Sequence, residues 1–220
     1  MFIGHFGVGF ASKRLAPELN LGVLLIAPLL LDMLWPVFLV LGIESVRIDP
    51  GNTAVTPLDL HDYPWSHSLL MSLVWSVLAA AAVRAALRQL RPALVVGASV
   101  FSHWVLDFIT HRPDMPLYPG SHVYVGLGLW NSRIGTALVE SAIYAAGVAI
   151  YLRATRRKDR TGAWAFASMA ALLALIYAAN FNGPPPPSVK AIIVVSFVLW
   201  LFIPWAFFAD RHRLPAGEGR

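Results

Sequence analysis

The sequence contains no cysteine in its 220 residues, and this absence removes a whole group of functions. The chain can form no disulfide, no iron–sulfur cluster and no thiolate zinc site, and it has no cysteine nucleophile. Any metal ion would therefore have to be bound by histidine and carboxylate side chains.

Charged residues are also scarce, since they make up 13% of the chain where a soluble domain carries about 25%. Apolar residues reach 57%, and the mean hydropathy is +0.63. Several apolar stretches approach or exceed the roughly 20 residues that a helix needs to cross a bilayer. We therefore expect an integral membrane protein. The net charge of +5 lies mostly in short loops between apolar segments, so we expect no nucleic-acid partner.

Six apolar segments predict an all-α, polytopic membrane fold. They are Leu19–Ile43, Ser68–Leu90, Ala93–Thr110, Ile134–Leu152, Gly162–Ala179 and Ala191–Ala209. We expect a single integral membrane domain over residues 1–220. Residues 1–125 carry the histidine and aspartate motifs, and residues 126–220 supply three further helices. The tetraproline Pro184–Pro187 is typical of a stiff connector, with partner docking as the alternative.

The N-terminal segment Phe2–Ala11 is apolar but too short to cross the membrane. We predict a re-entrant half-helix that returns at Leu15–Asn20, as is tolerated where such a segment is buried in protein. The rise of a helix, about 1.5 Å per residue, would then bring His5 to the same depth as Asp32. The alternative is an interfacial helix with His5 at its polar edge.

Basic residues divide unequally between the two sets of loops. Thirteen fall in one set: Lys13, Arg14, Arg84, Arg88, Arg91, Arg153, Arg156, Arg157, Lys158, Arg160, Arg211, Arg213 and Arg220. Four fall in the other: Arg47, Arg112, Arg133 and Lys190. Because basic loops remain in the cytoplasm, we expect a cytoplasmic C-terminus, and Glu44–Ser66 and His111–Arg133 on the outer side.

Ionisable residues within the predicted spans mark a candidate functional site, because burying them in a membrane is costly. His103 and Asp107 are four residues apart and share one face of a helix. His111 lies four residues further along. Asp32 is in the outer half of the first span. His67 opens the second span, directly after its predicted N-cap, Ser66.

These residues, together with His5, predict a metal site in the outer half of the bilayer. The predicted ligands are His5, Asp32, His67, His103, Asp107 and His111. Imidazole and carboxylate suit zinc first, with manganese or iron as alternatives, and a shared carboxylate would allow one or two ions. The competing interpretation is a set of hydrogen-bonded core histidines, with aspartates that pack helices or carry protons.

Further polar residues surround this predicted site. Asp62 and Glu140 are the candidates for a separate general base. Asp59 and His61 are expected in a solvated acidic loop, with orientation of a ligand histidine as the alternative. The last candidates, which would cap the site, are Asp114 and His122.

Four motifs occur in a fixed order within about the first 120 residues. They are Gly4-His5; Leu29–Asp32 with Pro36; Trp65–Leu69; and Ser102–Asp107 with Thr110 and Pro116-Leu117. Together they resemble the Gly-His, Leu-Pro-Asp-x-Asp-x-Pro, Thr-His-Ser-Leu and Ser-His-x-x-x-Asp-x-x-Thr…Pro-Leu motifs of the YdjM-like inner-membrane proteins of bacteria. Those proteins are regarded as membrane-bound metal-dependent hydrolases. Leu34 stands where that family has its second aspartate.

The resemblance implies a location in the bacterial inner membrane and a distant similarity to zinc-dependent phospholipases C and single-strand zinc nucleases. It also implies His5, Asp32, His67, His103 and Asp107 as the metal ligands. We therefore expect metal-activated water to act on a phosphoester or lipid-linked substrate at the outer leaflet, with membrane lipid as the partner. The alternatives are a transporter or channel with a cation or proton site, and a structural or regulatory protein with a vestigial site.

Overall fold

The computed structural model describes residues 1–217, and most of them lie in nine α-helices. The helices are α1 (Ile3–Ser12), α2 (Leu21–Val40), α3 (Pro64–His67), α4 (Leu69–Leu87), α5 (Leu90–Thr110), α6 (Arg133–Ala154), α7 (Arg160–Asn182), α8 (Val189–Leu199) and α9 (Phe202–Arg211). Six segments in this part of the chain are long and apolar enough to cross a membrane: α2, α4, α5, α6, α7 and the pair α8–α9. The predicted all-α polytopic fold with six spans is confirmed.

The ends of the spans differ from the prediction where side chains cap them. The Asn20 side chain accepts a hydrogen bond from the Gly22 N–H at 2.9 Å, so α2 begins at Leu21. Ser68, and not Ser66, is the N-cap of α4, because its hydroxyl accepts from the Met71 N–H. The predicted capping role of Ser66 is therefore wrong.

The sixth span consists of two helices instead of the single predicted one. α8 ends at Leu199 and α9 begins at Phe202. The turn between them is closed by a 3.0 Å hydrogen bond from the Leu201 N–H to the Val198 carbonyl. This i to i+3 bond is typical of a tightened helical turn.

α1 is a short, buried helix that packs against α2, α5 and α6, as expected for the half-helix. Its contact with α6 is very close, because a Cβ built on Gly147 would lie 2.1 Å from the Gly7 carbonyl oxygen. His5 is fully buried, so the alternative of an interfacial helix with His5 at a polar edge is wrong.

Three small two-stranded antiparallel sheets lie outside the helices, and the sequence analysis did not predict them. The strands are β1 (Ser45–Ile48), β2 (Leu58–Asp62), β3 (Met115–Pro116), β4 (Tyr124–Val125), β5 (Thr155–Arg157) and β6 (Arg213–Pro215), paired in that order. The first two hairpins belong to the predicted outer segments. The third sheet joins two of the basic segments at the opposite end of the helices.

A buried ion pair ties this opposite end together. Lys13 Nζ lies 2.7 Å from Asp210 Oδ2, and the Tyr151 hydroxyl donates to Asp210 Oδ1 at 2.7 Å. The Leu21 N–H donates to the same carboxylate at 3.1 Å. The start of α2 is thereby fixed to α9. Arg220, one of the thirteen basic residues, lies outside the described residues.

Candidate metal centre

The six predicted ligands come together at one end of the helices, although they are spread over more than 100 positions of the sequence. α1 supplies His5, α2 supplies Asp32, and α3 supplies His67. The others come from α5 and the position that follows it: His103, Asp107 and His111. All are buried except Asp32, whose side chain is 40% exposed. Four of them line a cavity of about 120 Å³: Asp32, His67, Asp107 and His111.

Asp107 is at the centre of the cluster, and its two carboxylate oxygens face different histidines. Oδ1 lies 3.1 Å from His5 Nε2, and Oδ2 lies 3.0 Å from His103 Nε2. Oδ2 is also 3.7 Å from His111 Nε2 and 3.8 Å from His67 Nε2. Asp107 can therefore contribute one oxygen to each of two neighbouring sets of possible metal ligands.

Asp32 completes a second group of donors. Its Oδ1 lies 3.5 Å from His67 Nε2 and 3.8 Å from His103 Nε2, and these two nitrogens are 3.3 Å apart. Two sets of three donor atoms result, each within 4.8 Å of one another: His5, His103 and Asp107, and Asp32, His67 and His103. His103 belongs to both sets.

In three of the histidines the second ring nitrogen, Nδ1, is within hydrogen-bonding distance of an acceptor outside the cluster. His103 Nδ1 donates to the Pro28 carbonyl at 2.7 Å, and His111 Nδ1 donates to Asp114 Oδ1 at 3.0 Å. His67 Nδ1 lies 2.6 Å from Ser66 Oγ. A proton on Nδ1 leaves the Nε2 lone pair free to bind a metal ion, because a neutral imidazole carries one proton.

His67 is supported through a relay of two residues. The Ser66 hydroxyl donates to Glu44 Oε2 at 2.7 Å, and the Ser66 N–H donates to Glu44 Oε1 at 2.7 Å. Ser66 Oγ is thus left as the acceptor for the proton on His67 Nδ1. Glu44 lies between α2 and β1, and burial raises the pKa of its carboxyl group to about 7.

The donor atoms fit a divalent metal ion of the zinc, manganese or iron type. Imidazole nitrogen and carboxylate oxygen are the ligands that these ions take in proteins when no thiolate is present. Acceptors behind the imidazoles are a further common feature of such sites. The buried histidine and aspartate groups can therefore hold a metal ion. His5 differs from the other histidines, because within residues 1–217 its buried Nδ1 has no hydrogen-bond partner.

The two predicted general bases lie in different environments. Asp62 is exposed at the end of β2, opposite Ser45, and is not among the described residues that line the central cavity. Glu140 is buried, and its Oε2 accepts the Phe2 N–H at 2.7 Å and the Gly4 N–H at 3.5 Å. Glu140 thus binds the first turn of α1, where a carboxylate is favoured by the helix dipole.

Other polar residues of the outer segments form contacts that the sequence did not indicate. Tyr63 donates its hydroxyl hydrogen to Asp114 Oδ1 at 3.0 Å, and Arg112 forms a close ion pair with Asp59. His61 lies 3.1 Å from the Ser45 hydroxyl. Asp114 therefore orients His111 directly, whereas the prediction gave it only a capping role. His122 is exposed.

Glu44, Ser66 and Tyr63 support the cluster through hydrogen bonds. The sequence analysis did not predict these roles. For Ser66 a signal existed, since it directly precedes a predicted ligand. Glu44 and Tyr63 carry no local signal, because each reaches its partner only through the folded hairpin segment.

Comparison with known protein families supplies the identification. Residues 4–182 match the family described as YdjM inner membrane protein. The chain belongs to the YdjM inner membrane protein family. The match includes all six clustered residues, and it confirms the resemblance drawn from the four motifs. Membership of the YdjM family also supports an inner-membrane location. Comparisons with curated proteins and with solved structures found no match.

Proposed function

We propose that this YdjM-family protein is a metal-dependent hydrolase that acts on a phosphoester or lipid-linked substrate at the outer leaflet of the inner membrane. The proposal rests mainly on the arrangement around Asp107, whose two oxygens face His5 on one side and His103 on the other. A carboxylate with histidines on both sides could hold one or two divalent ions, with zinc first.

Six side chains would hold the metal: His5, Asp32, His67, His103, Asp107 and His111. When bound, a divalent ion polarises a phosphoryl or acyl oxygen and lowers the pKa of a water molecule that it coordinates. Asp32 is the most exposed of the six, so it lies where a substrate would first meet the site.

Residues around the ligands orient the imidazoles, and Glu140 is the candidate proton acceptor. Pro28, Ser66 and Asp114 hold three imidazoles in one tautomer, so that their Nε2 atoms face the aspartates. Glu140 is better placed than Asp62 to accept a proton, because it lines a cavity of about 330 Å³ next to the cluster. Its hydrogen bonds from Phe2 and Gly4 also hold α1 in position.

The distribution of basic residues supports a site on the periplasmic side. The cluster lies at the end of the helices that carries Arg47, Arg112 and Arg133, where basic residues are few. The opposite end carries the basic β5–β6 strand pair and Lys13. A periplasmic site and a cytoplasmic C-terminus follow from the preference of basic loops for the cytoplasm.

Transport of a cation or proton is less well supported. Along α1 and α2 the fully buried apolar residues Phe10, Leu24 and Leu25 lie between the metal cluster and the buried Lys13–Asp210 pair. A conduction path would need polar groups or water at these positions.

The direct test is hydrolysis by the purified, metal-loaded protein in detergent. The substrates are para-nitrophenyl phosphate, bis-para-nitrophenyl phosphate and hexadecyl phosphate, and the variants are Asp107→Asn and His67→Ala. We expect turnover in the wild type, at least about 100-fold loss in both variants, and no loss in the exposed-residue control His122→Ala. Equal rates in the wild type and Asp107→Asn would contradict the proposal, as would the absence of turnover in a fully metal-loaded wild type.

A further inference from the structure

An apolar cavity of about 420 Å³ lies between α2 and α8, directly beside the metal centre. This volume is in the usual range for a small-molecule site, about 300–1,000 Å³. The α2 side is formed by residues such as Met33 and Trp35, and the α8 side by Ile192, Val195 and Leu199. Nothing in the mechanism proposed above uses this space.

The cavity adjoins the metal centre at one end. Asp32, Trp35 and Leu58 line both this cavity and the smaller one that contains His67 and Asp107. A molecule in the apolar cavity could therefore place one end against the predicted metal ligands.

The junction between the two cavities contains a polar donor without a partner. Trp35 is 8% exposed, and its indole Nε1 is buried with no hydrogen-bond partner in the described part of the chain. A buried N–H group normally has an acceptor. An oxygen of a bound ligand at the junction would supply one.

The other side of the cavity lies close to the exposed face of α8. Val195 lines the cavity and is also 57% exposed, within the last membrane span. Only one residue therefore separates this part of the cavity from the exposed face of α8. Pro184, Pro186 and Pro187 close part of its wall, which gives the rigid tetraproline connector a place in the site.

We infer, on the basis of the proposed function, that this cavity holds the hydrocarbon chain of the substrate. The substrate is then an anionic amphiphile, a long-chain alkyl or prenyl phosphoester, with its phosphate at the junction beside Trp35. In hydrolysis of a monoester, the water oxygen bonds to phosphorus and the bond from phosphorus to the alkyl oxygen breaks. One water proton goes to the leaving alcohol, and the other remains on the phosphate.

The test uses a photoreactive probe, hexadecyl phosphate with a diazirine in the middle of its chain. The probe is added to the purified protein in detergent, irradiated, and its attachment sites are mapped by mass spectrometry. We expect adducts on the α2 and α8 walls, near Met33, Val195 and Leu199, and we expect excess hexadecyl phosphate to suppress them. Adducts spread over the exposed face of α4, without competition, would overturn the inference.

Two neighbouring valines provide a matched pair of variants. Val195 lines the cavity, whereas Val194 is similarly exposed, at 51%, and is not among the residues that line it. We expect Val195→Phe to reduce probe attachment at least about fivefold and Val194→Phe to leave it unchanged. Equal effects of the two substitutions would overturn the inference.

The variant His103→Ala separates this inference from the proposed function, because the cavity does not include His103. Adducts on the same walls in His103→Ala, together with no hydrolysis in the wild type, would support the chain site and contradict the hydrolase. Hydrolysis of para-nitrophenyl phosphate without adducts on α2 and α8 would support the hydrolase and contradict the chain site.

Discussion

At the scale of single residues, the cluster is defined by which nitrogen of each histidine faces inward. His67, His103 and His111 all turn Nε2 toward the aspartates and hold Nδ1 with an outer acceptor. Such acceptors fix the tautomer and the orientation of a ligand histidine. The neighbours of the histidines therefore contribute to the site as well as the ligands themselves.

The relay behind His67 can be tested by removing one hydroxyl group. Ser66→Ala breaks the link between His67 Nδ1 and Glu44, and we expect metal affinity to fall about 10- to 100-fold. The matched control is Ser102→Ala. Ser102 precedes His103 as Ser66 precedes His67, but its hydroxyl donates to the Ser99 carbonyl of its own helix at 2.6 Å.

Metal affinity would be measured by titration of the metal-free protein against a competing chelator. An equal loss of affinity in Ser66→Ala and Ser102→Ala would contradict a specific role for Ser66.

Glu44 predicts a pH dependence of stability in the metal-free protein. Burial raises its pKa from 4.5 to about 7, with Asp62 nearby adding to the shift and the Ser66 hydrogen bonds opposing it. Because the folded state holds the proton more tightly, Glu44 contributes stability below about pH 4.5 that is lost as the pH rises through about 7.

We therefore expect the wild type to lose more stability than Glu44→Gln between pH 5 and pH 8, by about 1–3 kcal/mol. The measurement is thermal or denaturant unfolding in detergent at both pH values. An identical pH dependence in the two proteins would contradict the raised pKa.

At the scale of elements, the site depends on the close packing of α1 against α6. Gly7 and Gly147 allow the two backbones to approach, since a Cβ on Gly147 would lie 2.1 Å from the Gly7 carbonyl oxygen. Glu140, about two helical turns before Gly147, binds the start of α1. These contacts hold His5 against Asp107.

Substitution at this crossing should displace α1 and with it His5. We expect Gly147→Val to destabilise the protein by about 2 kcal/mol or more and to weaken metal binding. The control is Ala146→Val, an exposed position on the same helix. Stability and metal content of the two purified variants are the measurements, and equal values in both would show that the crossing is not required.

The elements also show which features the sequence could predict. His103 and Asp107 were predictable because four residues of helix bring them to one face. His5 was predictable from the helix rise and the short length of its segment. Glu44 was not, because its contact with Ser66 depends on how the β1–β2 hairpin folds back, and neither residue is near the other in the sequence. The break in the last span did have a sequence signal that the prediction of one unbroken helix did not use. Pro204 has no N–H to donate to the Trp200 carbonyl, and its ring clashes with that carbonyl in a regular helix.

At the scale of the whole molecule, the two ends have different chemistry. One end holds the histidine and aspartate cluster beneath the β1–β2 and β3–β4 hairpins. The other holds the buried Lys13–Asp210 ion pair and the basic β5–β6 strand pair. Because basic segments prefer the cytoplasmic side, this difference predicts that the end with the cluster faces the periplasm.

The orientation can be tested cleanly because the chain contains no cysteine. Single cysteines at two exposed positions, His122→Cys near the site and Thr161→Cys near the opposite end, are treated with a membrane-impermeant thiol reagent in cells with a permeabilised outer membrane. We expect labelling of His122→Cys in these cells, and of Thr161→Cys only after the inner membrane is disrupted. The reverse pattern would place the cluster on the cytoplasmic side.

The most direct test of the metal centre is the metal content of the purified protein by inductively coupled plasma mass spectrometry. Wild type is compared with His103→Ala and Asp107→Ala, and with His122→Ala as the exposed control. We predict about one or two zinc, manganese or iron ions per chain in the wild type and the control, and loss of the metal in both cluster variants. A wild type without metal after reconstitution, or cluster variants that keep a full complement, would contradict the proposed metal centre.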